Sequence, residues 1–359
     1  MRRLWVLMML LVLLPVCALA APGMPYAPET LMQVAPLSEG ARAVVDILYP
    51  ELLSCQAQID LPEGTLYTDA DAAFQSLTRD YPELFHLETT CAIYYRQDRP
   101  EYAIQVQPGY LMTTAGYEAR RTRLEETAAQ LVNSVSGGEA ERAEALHDLL
   151  CERAAYDESE LFEADNSAVG ALVDGVTRCE GYAKALALLY RMAGIPCGVV
   201  IGEGIDETGV SRHAWNVAVI EGIPTLIDAT WNDRKDGGNT HWYYGLTDWM
   251  MAADHRPDPG QSIPACTSVV LNWHARRGLL VSGETGVYAA LGRFAREGEV
   301  SVRFADAALY ADFNARMNAW FQDYNARYPE EAFYGRYGVI YVDEQMCLRI
   351  RALGEEVDQ

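Results

Sequence analysis

Lysine is almost absent from this chain of 359 residues, with Lys184 and Lys235 as its only two examples. Acidic residues outnumber basic ones by 51 to 28, which gives a formal net charge of −23 at pH 7. A negative charge of this size repels phosphate backbones and anionic membrane surfaces. The composition therefore argues against nucleic acid and anionic lipid as partners, and it favours neutral or cationic ones.

Several motifs that mark common functional classes are also missing. The sequence contains no C-x-x-C pair, no glycine-rich phosphate loop, no EF-hand-like acidic loop and no internal repeat. These absences argue against paired-cysteine zinc or redox sites, nucleotide binding, calcium dependence and a repeat architecture. We therefore expect neither a metal nor a cofactor.

The longest apolar run lies near the N-terminus, at residues 4–16. Two arginines precede it, and an Ala-Leu-Ala cleavage motif follows it. Because the run is short for a membrane-spanning helix, we expect residues 1–20 to be a cleaved signal peptide and the mature protein to be secreted. A lipoprotein anchored through Cys17 is the less favoured alternative, since the residues before this cysteine match a lipidation motif poorly.

The rest of the chain is long enough for two or three domains. Pattern changes predict an N-terminal α+β region at 21–138, a central region at 139–262 and a small C-terminal α+β domain at 265–359. We expect the N-terminal region to act as scaffold. Periodicity predicts helices at 37–53, 69–81, 117–135, 139–156 and 307–324, and strands at 90–96, 101–106, 278–282, 299–304, 337–342 and 345–351.

Six cysteines besides Cys179 remain after signal removal, and they could form three disulfides in fifteen connectivities. The sequence does not choose among these. Cys55 with Cys91 is the first pair to test, whereas Cys197, which follows Ile-Pro at a strand start, is favoured as a buried free thiol. The six are Cys55, Cys91, Cys151, Cys197, Cys266 and Cys347.

Cys179 opens a segment with the period of a half-buried helix. Apolar residues recur at three- and four-residue spacing from Tyr182 to Tyr190, and Gly194 and Pro196 end the pattern. Cys179 is therefore expected at a helix N-terminus. There the unpaired N–H groups and the helix dipole stabilise a thiolate, and they can face a developing oxyanion.

His213 begins an alternating segment that is typical of a strand. Glu221-Gly222 fits a two-residue hairpin turn, and a second strand follows it. With that turn Asp228 lies opposite Trp215. His213 and Asp228 then share one face as diagonal neighbours, with roughly 7–8 Å between their backbones. A three-residue turn would place them on opposite faces.

A thiol, an imidazole and a carboxylate arranged in this way can act as nucleophile, base and orienting group. The alternative for each residue is structural, because a buried cysteine is often only a small apolar residue and a strand histidine is often a hydrogen-bonded core residue. Trp215 and Trp231 are expected to line the cleft, with packing as their alternative role. A non-catalytic binding module would be expected to lack one of the three groups, and all three are present.

The stretches CEGYAKALALLYRMAGIPC, HAWNVAVIEG and LIDATWND resemble the transglutaminase-like superfamily of bacterial secreted proteins, over roughly residues 146–255. The resemblance implies a papain-like α+β core in which the helix that bears the cysteine packs on an antiparallel sheet. It also implies that Cys179 is the nucleophile, His213 the base and Asp228 the third member. An oxyanion donor often precedes the cysteine in this family, and Tyr156 is the candidate.

The resemblance implies acyl transfer through a thioester, either to water or to an amine. We favour hydrolysis of peptide or amide substrates, because water competes at about 55 M unless a dedicated site positions an amine. Cross-linking of protein glutamines is the alternative. The expected partner is a protein or peptide, with cell-wall peptide as one candidate. The segment at 241–255 resembles a closing element of the family, and we expect it to pack against the active site rather than bind a metal.

Overall fold

A computed structural model describes residues 25–159, 166–234 and 238–353. The predicted signal peptide lies outside these residues. The described chain mixes helices with antiparallel sheets, so the predicted α+β class is confirmed. Among the described residues, no helix combines the length and the apolar character needed to cross a membrane.

The N-terminal region combines helices with a three-stranded antiparallel sheet in the order β1-β3-β2. Ser38 caps the first helix by accepting a hydrogen bond from the backbone N–H of Ala41, and Thr113 caps the third in the same way through Gly116. The elements are α1 (Glu39–Leu53), β1 (Ile59–Asp60), α2 (Tyr67–Asp80), β2 (Leu87–Arg96), β3 (Arg99–Tyr110) and α3 (Thr114–Ser134).

The central region is built on a five-stranded antiparallel sheet in the order β11-β8-β7-β6-β12. Helices and strands are interspersed along this part of the chain. They are α4 (Glu139–Arg153), β4 (Ala155–Tyr156), β5 (Val176–Thr177), α5 (Cys179–Met192), β6 (Cys197–Asp206), β7 (Gly209–Ile220), β8 (Ile223–Ile227), α6 (Ala229–Asn232), β9 (Asp233–Arg234), β10 (Gly238–Asn239), β11 (Tyr244–Leu246), α7 (Asp248–Met251) and β12 (His255–Pro257).

The hairpin between β7 and β8 has the predicted two-residue turn. Glu221 and Gly222 both have positive φ, at 53° and 76°, which is the signature of a type I′ turn. Ile220 pairs with Ile223, and Asn216 pairs with Ile227. The register is therefore the predicted one, and it brings Asp228 onto the face of the sheet that carries His213.

The C-terminal domain forms a four-stranded sheet in the order β13-β14-β16-β15, covered by two longer helices. Its own apolar cluster includes Phe294, Phe304 and Phe313. The sequence patterns did not predict the helix at 284–297. The elements are α8 (Trp273–Arg276), β13 (Leu280–Val281), α9 (Glu284–Glu297), β14 (Glu299–Phe304), α10 (Ala307–Arg327), β15 (Tyr337–Val342) and β16 (Cys347–Ala352).

The N-terminal and central regions share one hydrophobic core. A single buried cluster extends from Tyr26 to Leu271 and includes residues of α1, α2, α3, α4, α5 and the central sheet. Arg191 of α5 is buried at this junction, where its Nε donates to the carbonyl of Cys197 at 2.7 Å and its Nη1 donates to the carbonyl of Asp80. The helix that begins at Cys179 is therefore held by both regions.

The seven cysteines in the described part of the chain are free thiols. The suggested Cys55–Cys91 pair does not form, and neither does any other disulfide among them. Cys151, Cys197, Cys266 and Cys347 are buried within the apolar clusters. Cys197 is thus the buried free thiol that its position predicted. Burial raises the pKa of Cys91, Cys197 and Cys266 to about 12.

Candidate active site

Cys179 is the first residue of α5. Arg178 before it has extended backbone angles, so the helix begins abruptly at the cysteine. The side-chain oxygen of Asn166 accepts a hydrogen bond from the backbone N–H of Gly181 at 2.9 Å and satisfies one donor of the first turn. The predicted placement of Cys179 at a helix N-terminus is confirmed.

Gly181 permits a close approach of the chain to this first turn. A Cβ atom there would lie 1.8 Å from Oγ1 of Thr177 and 2.8 Å from the carbonyl oxygen of Ser167. Two segments that precede the cysteine, at Ser167 and at Thr177, therefore pack against a helix turn that has no side chain at this point. A cleft of about 410 Å³ opens beside the same turn, and Glu180 contributes to its lining together with residues of α2 and the loop after β12.

His213 and Asp228 meet as the hairpin register predicts. Nε2 of His213 lies 2.7 Å from Oδ2 of Asp228, and both side chains are buried. The other carboxylate oxygen of Asp228 accepts the backbone N–H groups of Thr230 at 2.9 Å and Trp231 at 3.2 Å, at the start of α6. These two hydrogen bonds fix the carboxylate, and the carboxylate fixes the imidazole.

The electrostatics of this pair favour a protonated His213. Burial alone would lower the pKa of the imidazole, but the charge of Asp228 and the hydrogen bond to it raise the pKa well above its ordinary value. A hydrogen bond and the charge of Cys179 add to this increase. Although burial opposes ionisation of Asp228, His213 and His255 lower its carboxyl pKa. Because Nε2 of His213 faces Asp228, Nδ1 is the nitrogen left for the thiol.

Tyr156 lies beside the start of α5. It ends the short strand β4, which pairs in parallel with β5, so that Tyr156 is the partner of Thr177 two residues before the cysteine. Burial raises the pKa of its hydroxyl, and the charge of Cys179 raises it further. Tyr156 therefore carries its proton at neutral pH and has a hydroxyl donor to offer near the thiol.

The two tryptophans occupy different positions relative to His213. Trp231 is half-buried and lies against the imidazole, with the ring centres 4.9 Å apart. Trp215 lies on the same face of β7 as His213, with the ring centres 6.1 Å apart, but it is only 1% exposed. The expectation that Trp215 lines the cleft is wrong, because His255 of β12 packs against the Trp215 ring, with the ring centres 4.9 Å apart, and the ring is buried.

His255 and Asp254 are site residues that the sequence reasoning missed. Nε2 of His255 lies 3.1 Å from Oδ2 of Asp228, and its Nδ1 lies 2.6 Å from Oδ1 of Asp254. His255 reaches this position because β12 pairs with β6, with His255 opposite Gly204. The segment at 241–255 does pack against the site, as expected, but no local pattern signals this long-range pairing.

A second polar cluster lies near the site and contains His147, Asp148, Asn239 and His241. Oδ1 of Asp148 is 3.0 Å from Nδ1 of His147, 2.7 Å from Nε2 of His241 and 2.6 Å from Nδ2 of Asn239. The amide of Asn232 donates to Nε2 of His147 at 3.0 Å, which leaves the proton of that ring on Nδ1.

Two groups in the described chain have ligand atoms close enough together to hold an ion. One is the His147–Asp148–His241 group, and the other is His213 with Asp228 and His255. In both, the histidine nitrogens that face the central carboxylate lie at hydrogen-bond distance from it, between 2.7 and 3.1 Å. Hydrogen bonding accounts for both clusters, and we assign neither as a metal site.

Gly204 makes room for the imidazole of His213. A Cβ atom at this position would lie 2.9 Å from the Trp231 ring and 3.2 Å from Cγ of His213. Gly204→Ala is expected to displace the imidazole. Alkylation of Cys179 by iodoacetamide at pH 6 should then be about 100-fold slower, because a shift of about 1 Å in a reacting group has an effect of this size. Mass spectrometry of the peptide that contains Cys179 measures the rate.

Gly283→Ala is the matched control, because an added methyl group meets nothing within 4 Å there. Overpacking at Gly204 should also lower the free energy of unfolding by about 1–3 kcal/mol. An alkylation rate in Gly204→Ala equal to that of the control would show that this glycine does not set the position of His213.

Residues 125–233 match the family model of the transglutaminase-like superfamily core. This segment contains Cys179, His213 and Asp228, and this part of the chain belongs to that superfamily. The match begins earlier and ends earlier than the resemblance noted in the sequence, and it leaves His255 outside.

The chain is similar to kyphoscoliosis peptidase of mouse and of human, with 30% identity over 157 residues that cover 38% of this chain. It spans only 24% of the length of those curated relatives.

Among solved structures, the chain is similar to a TGase crystal structure, with a TM-score of 0.28, 15% identity and coverage of 43% of this chain and 47% of that one. It is also similar to the periplasmic domain of TgpA from Pseudomonas aeruginosa, with a TM-score of 0.24, 21% identity and coverage of 37% and 55%. Because these scores are low, the assignment rests on the family-model match.

Proposed function

We propose that the protein is an exported cysteine enzyme that cleaves peptide or amide bonds through a thioester on Cys179. The observation that carries the proposal is the 2.7 Å contact between His213 and Asp228, in a site where Cys179 begins a helix and interacts with the same imidazole. Nucleophile, base and orienting carboxylate are the three groups that acyl transfer requires.

In the proposed reaction, the Cys179 thiolate attacks the carbonyl carbon of the substrate. The negative charge that develops on the carbonyl oxygen is stabilised by backbone N–H groups at the start of α5 and by the hydroxyl of Tyr156. Protonated His213 then gives its proton to the departing amine, and the thioester remains. Neutral His213 next removes a proton from water, the hydroxide attacks the thioester, and the thiol leaves with that proton.

Hydrolysis is favoured over cross-linking because an amine acceptor must be positioned to compete with water at about 55 M. The proposed substrates are proteins or peptides outside the cell, and cell-wall peptide is one candidate.

The test uses glutamine-containing peptides and peptide p-nitrophenyl esters, with and without a primary amine. Acylation of Cys179 detected by mass spectrometry, followed by release of free acid, is the expected result. Release of the amine adduct instead would identify a cross-linking enzyme. If no acyl group appears on Cys179, and release is the same in Cys179→Ala, the chain is a non-catalytic module and the proposal fails.

A further inference from the structure

His255 lies between two buried carboxylates, and each of its ring nitrogens faces one of them. Nε2 lies 3.1 Å from Oδ2 of Asp228, and Nδ1 lies 2.6 Å from Oδ1 of Asp254. All three side chains are no more than 1% exposed. Water is therefore excluded from these contacts. Each hydrogen bond between His255 and a carboxylate must then use a proton that one of the two groups carries.

An ionised carboxylate only accepts hydrogen bonds, so a nitrogen that faces it at this distance has to donate. Neutral imidazole has one donor and one acceptor, and it would leave a lone pair of His255 facing a lone pair of a carboxylate. We infer that His255 is held as an imidazolium between Asp228 and Asp254, and that it is a positioning residue for the Asp228 carboxylate. This inference rests on the proposed function, because Asp228 matters through His213.

The position of His255 is set from the far side through Asp254. The second carboxylate oxygen of Asp254 accepts the hydroxyl of Tyr243 at 2.8 Å and the amide of Gln345 at 2.8 Å. The side-chain oxygen of Gln345 in turn accepts two hydrogen bonds from Arg303, both at 3.1 Å. These bonds determine which end of the Gln345 amide points at Asp254.

Gln345 and Arg303 both belong to the C-terminal domain. Gln345 precedes β16 and Arg303 lies in β14, and both are only 1% exposed. A continuous series of hydrogen bonds thus leads from the C-terminal sheet through Asp254 and His255 to Asp228. The C-terminal domain completes the support of the site, in addition to packing against it.

The charges around His255 agree with this protonation state. Apart from the two carboxylates, the titratable groups that face its ring are His213, with ring centres 5.3 Å apart, and Tyr243, at 5.7 Å. Burial lowers the pKa of His255, but the hydrogen bonds and charges of Asp228 and Asp254 outweigh burial and raise it. Without the His255 cation, two buried carboxylates would share only one cationic imidazole, His213.

The first test is the protonation state itself, measured on the full chain labelled with ¹⁵N-histidine. We expect both ring nitrogens of His255 to give the NMR signals of protonated nitrogen from pH 5 to pH 8, with His255→Gln used for assignment. An unprotonated nitrogen signal from His255 at pH 7 would overturn the inference. This result does not depend on activity, so it stands or falls separately from the proposed function.

The second test measures positioning by the rate at which iodoacetamide alkylates Cys179 at pH 6. His255→Ala removes the donor to Asp228 and should lower the rate at least tenfold, while His255→Gln keeps one donor and should restore part of it. Gln345→Ala should lower the rate less, and Gln58→Ala is the exposed control. Equal rates in folded wild type, His255→Ala and His255→Gln would reduce His255 to a packing role.

Discussion

Alkylation of Cys179 by iodoacetamide should be fast at pH 6, and at least 100-fold slower in His213→Ala. An isolated thiol reacts mainly above its usual pKa of about 8.5, because only the thiolate is nucleophilic. In this site the charge of Asp228 and the hydrogen bond to it outweigh burial and raise the pKa of His213, so a thiolate beside the imidazolium gains an ion-pair partner. Loss of the imidazolium removes this partner, and a contribution of 10²–10⁴ is about the size expected of a positioned acid–base group.

The measurement follows the peptide that contains Cys179 from pH 4 to pH 9. Cys55 is half-buried and provides an internal reference thiol in the same digest. Circular dichroism establishes that His213→Ala is folded. If Cys179 of the unmodified protein reacts only near pH 8.5, and at the rate seen in His213→Ala, then no thiolate–imidazolium pair exists and the proposed mechanism is wrong.

Asp228→Asn should have the largest combined effect on reactivity and stability. The carboxylate is fully buried and accepts two backbone N–H groups and two histidine rings. The asparagine amide carries no charge, and its NH₂ group faces hydrogen-bond donors. His213 therefore loses its anionic partner, and His255 loses one of its two. We expect alkylation at pH 6 to fall at least 100-fold. The free energy of unfolding should fall by about 3 kcal/mol, because one member of a buried ion pair has been removed.

The pH dependence of stability gives this prediction a second readout. The pKa of Asp228 is lowered on folding, so its contribution is present above the ordinary value of about 3.9 and disappears as the pH falls toward the folded value. The pKa of His213 is raised, so its contribution is present below about 6.5 and disappears as the pH rises toward the folded value.

Urea unfolding between pH 3 and pH 9 tests both limbs. The wild type should lose stability toward both ends of this range, and Asp228→Asn should show a flatter profile. Asp98→Asn is the control, because Asp98 is exposed and pairs only with Arg96 and its neighbours on the surface. Parallel profiles for wild type and Asp228→Asn would mean that the buried carboxylate is not coupled to the histidines.

The sequence was sufficient for the parts of the site that local rules determine. The helix α5 follows from the helical period after Cys179, and its end follows from Gly194 and Pro196. The contact between His213 and Asp228 follows from the two-residue turn at Glu221-Gly222, because strand parity then decides which side chains share a face.

The sequence was insufficient where distant segments pair. His255 joins the site through the pairing of β12 with β6, about fifty residues apart, and no periodic pattern encodes that register. No periodic pattern encodes the contact between Gln345 and Asp254 either, because Gln345 belongs to the C-terminal domain. The Cys55–Cys91 pair was suggested because both cysteines lie in the N-terminal region, but pairing depends on three-dimensional proximity, and the seven described cysteines are free thiols.

The core that the N-terminal region shares with α5 has a consequence for how the chain could be divided. The segment at 125–233 that matches the superfamily model shares its hydrophobic core with elements that precede it. If it were cut out, the inner faces of α1 and α2 would be lost, and Arg191 would lose its acceptor on Asp80. A piece of the chain that keeps the core around α5 intact therefore has to include α1 and α2, which precede the family segment.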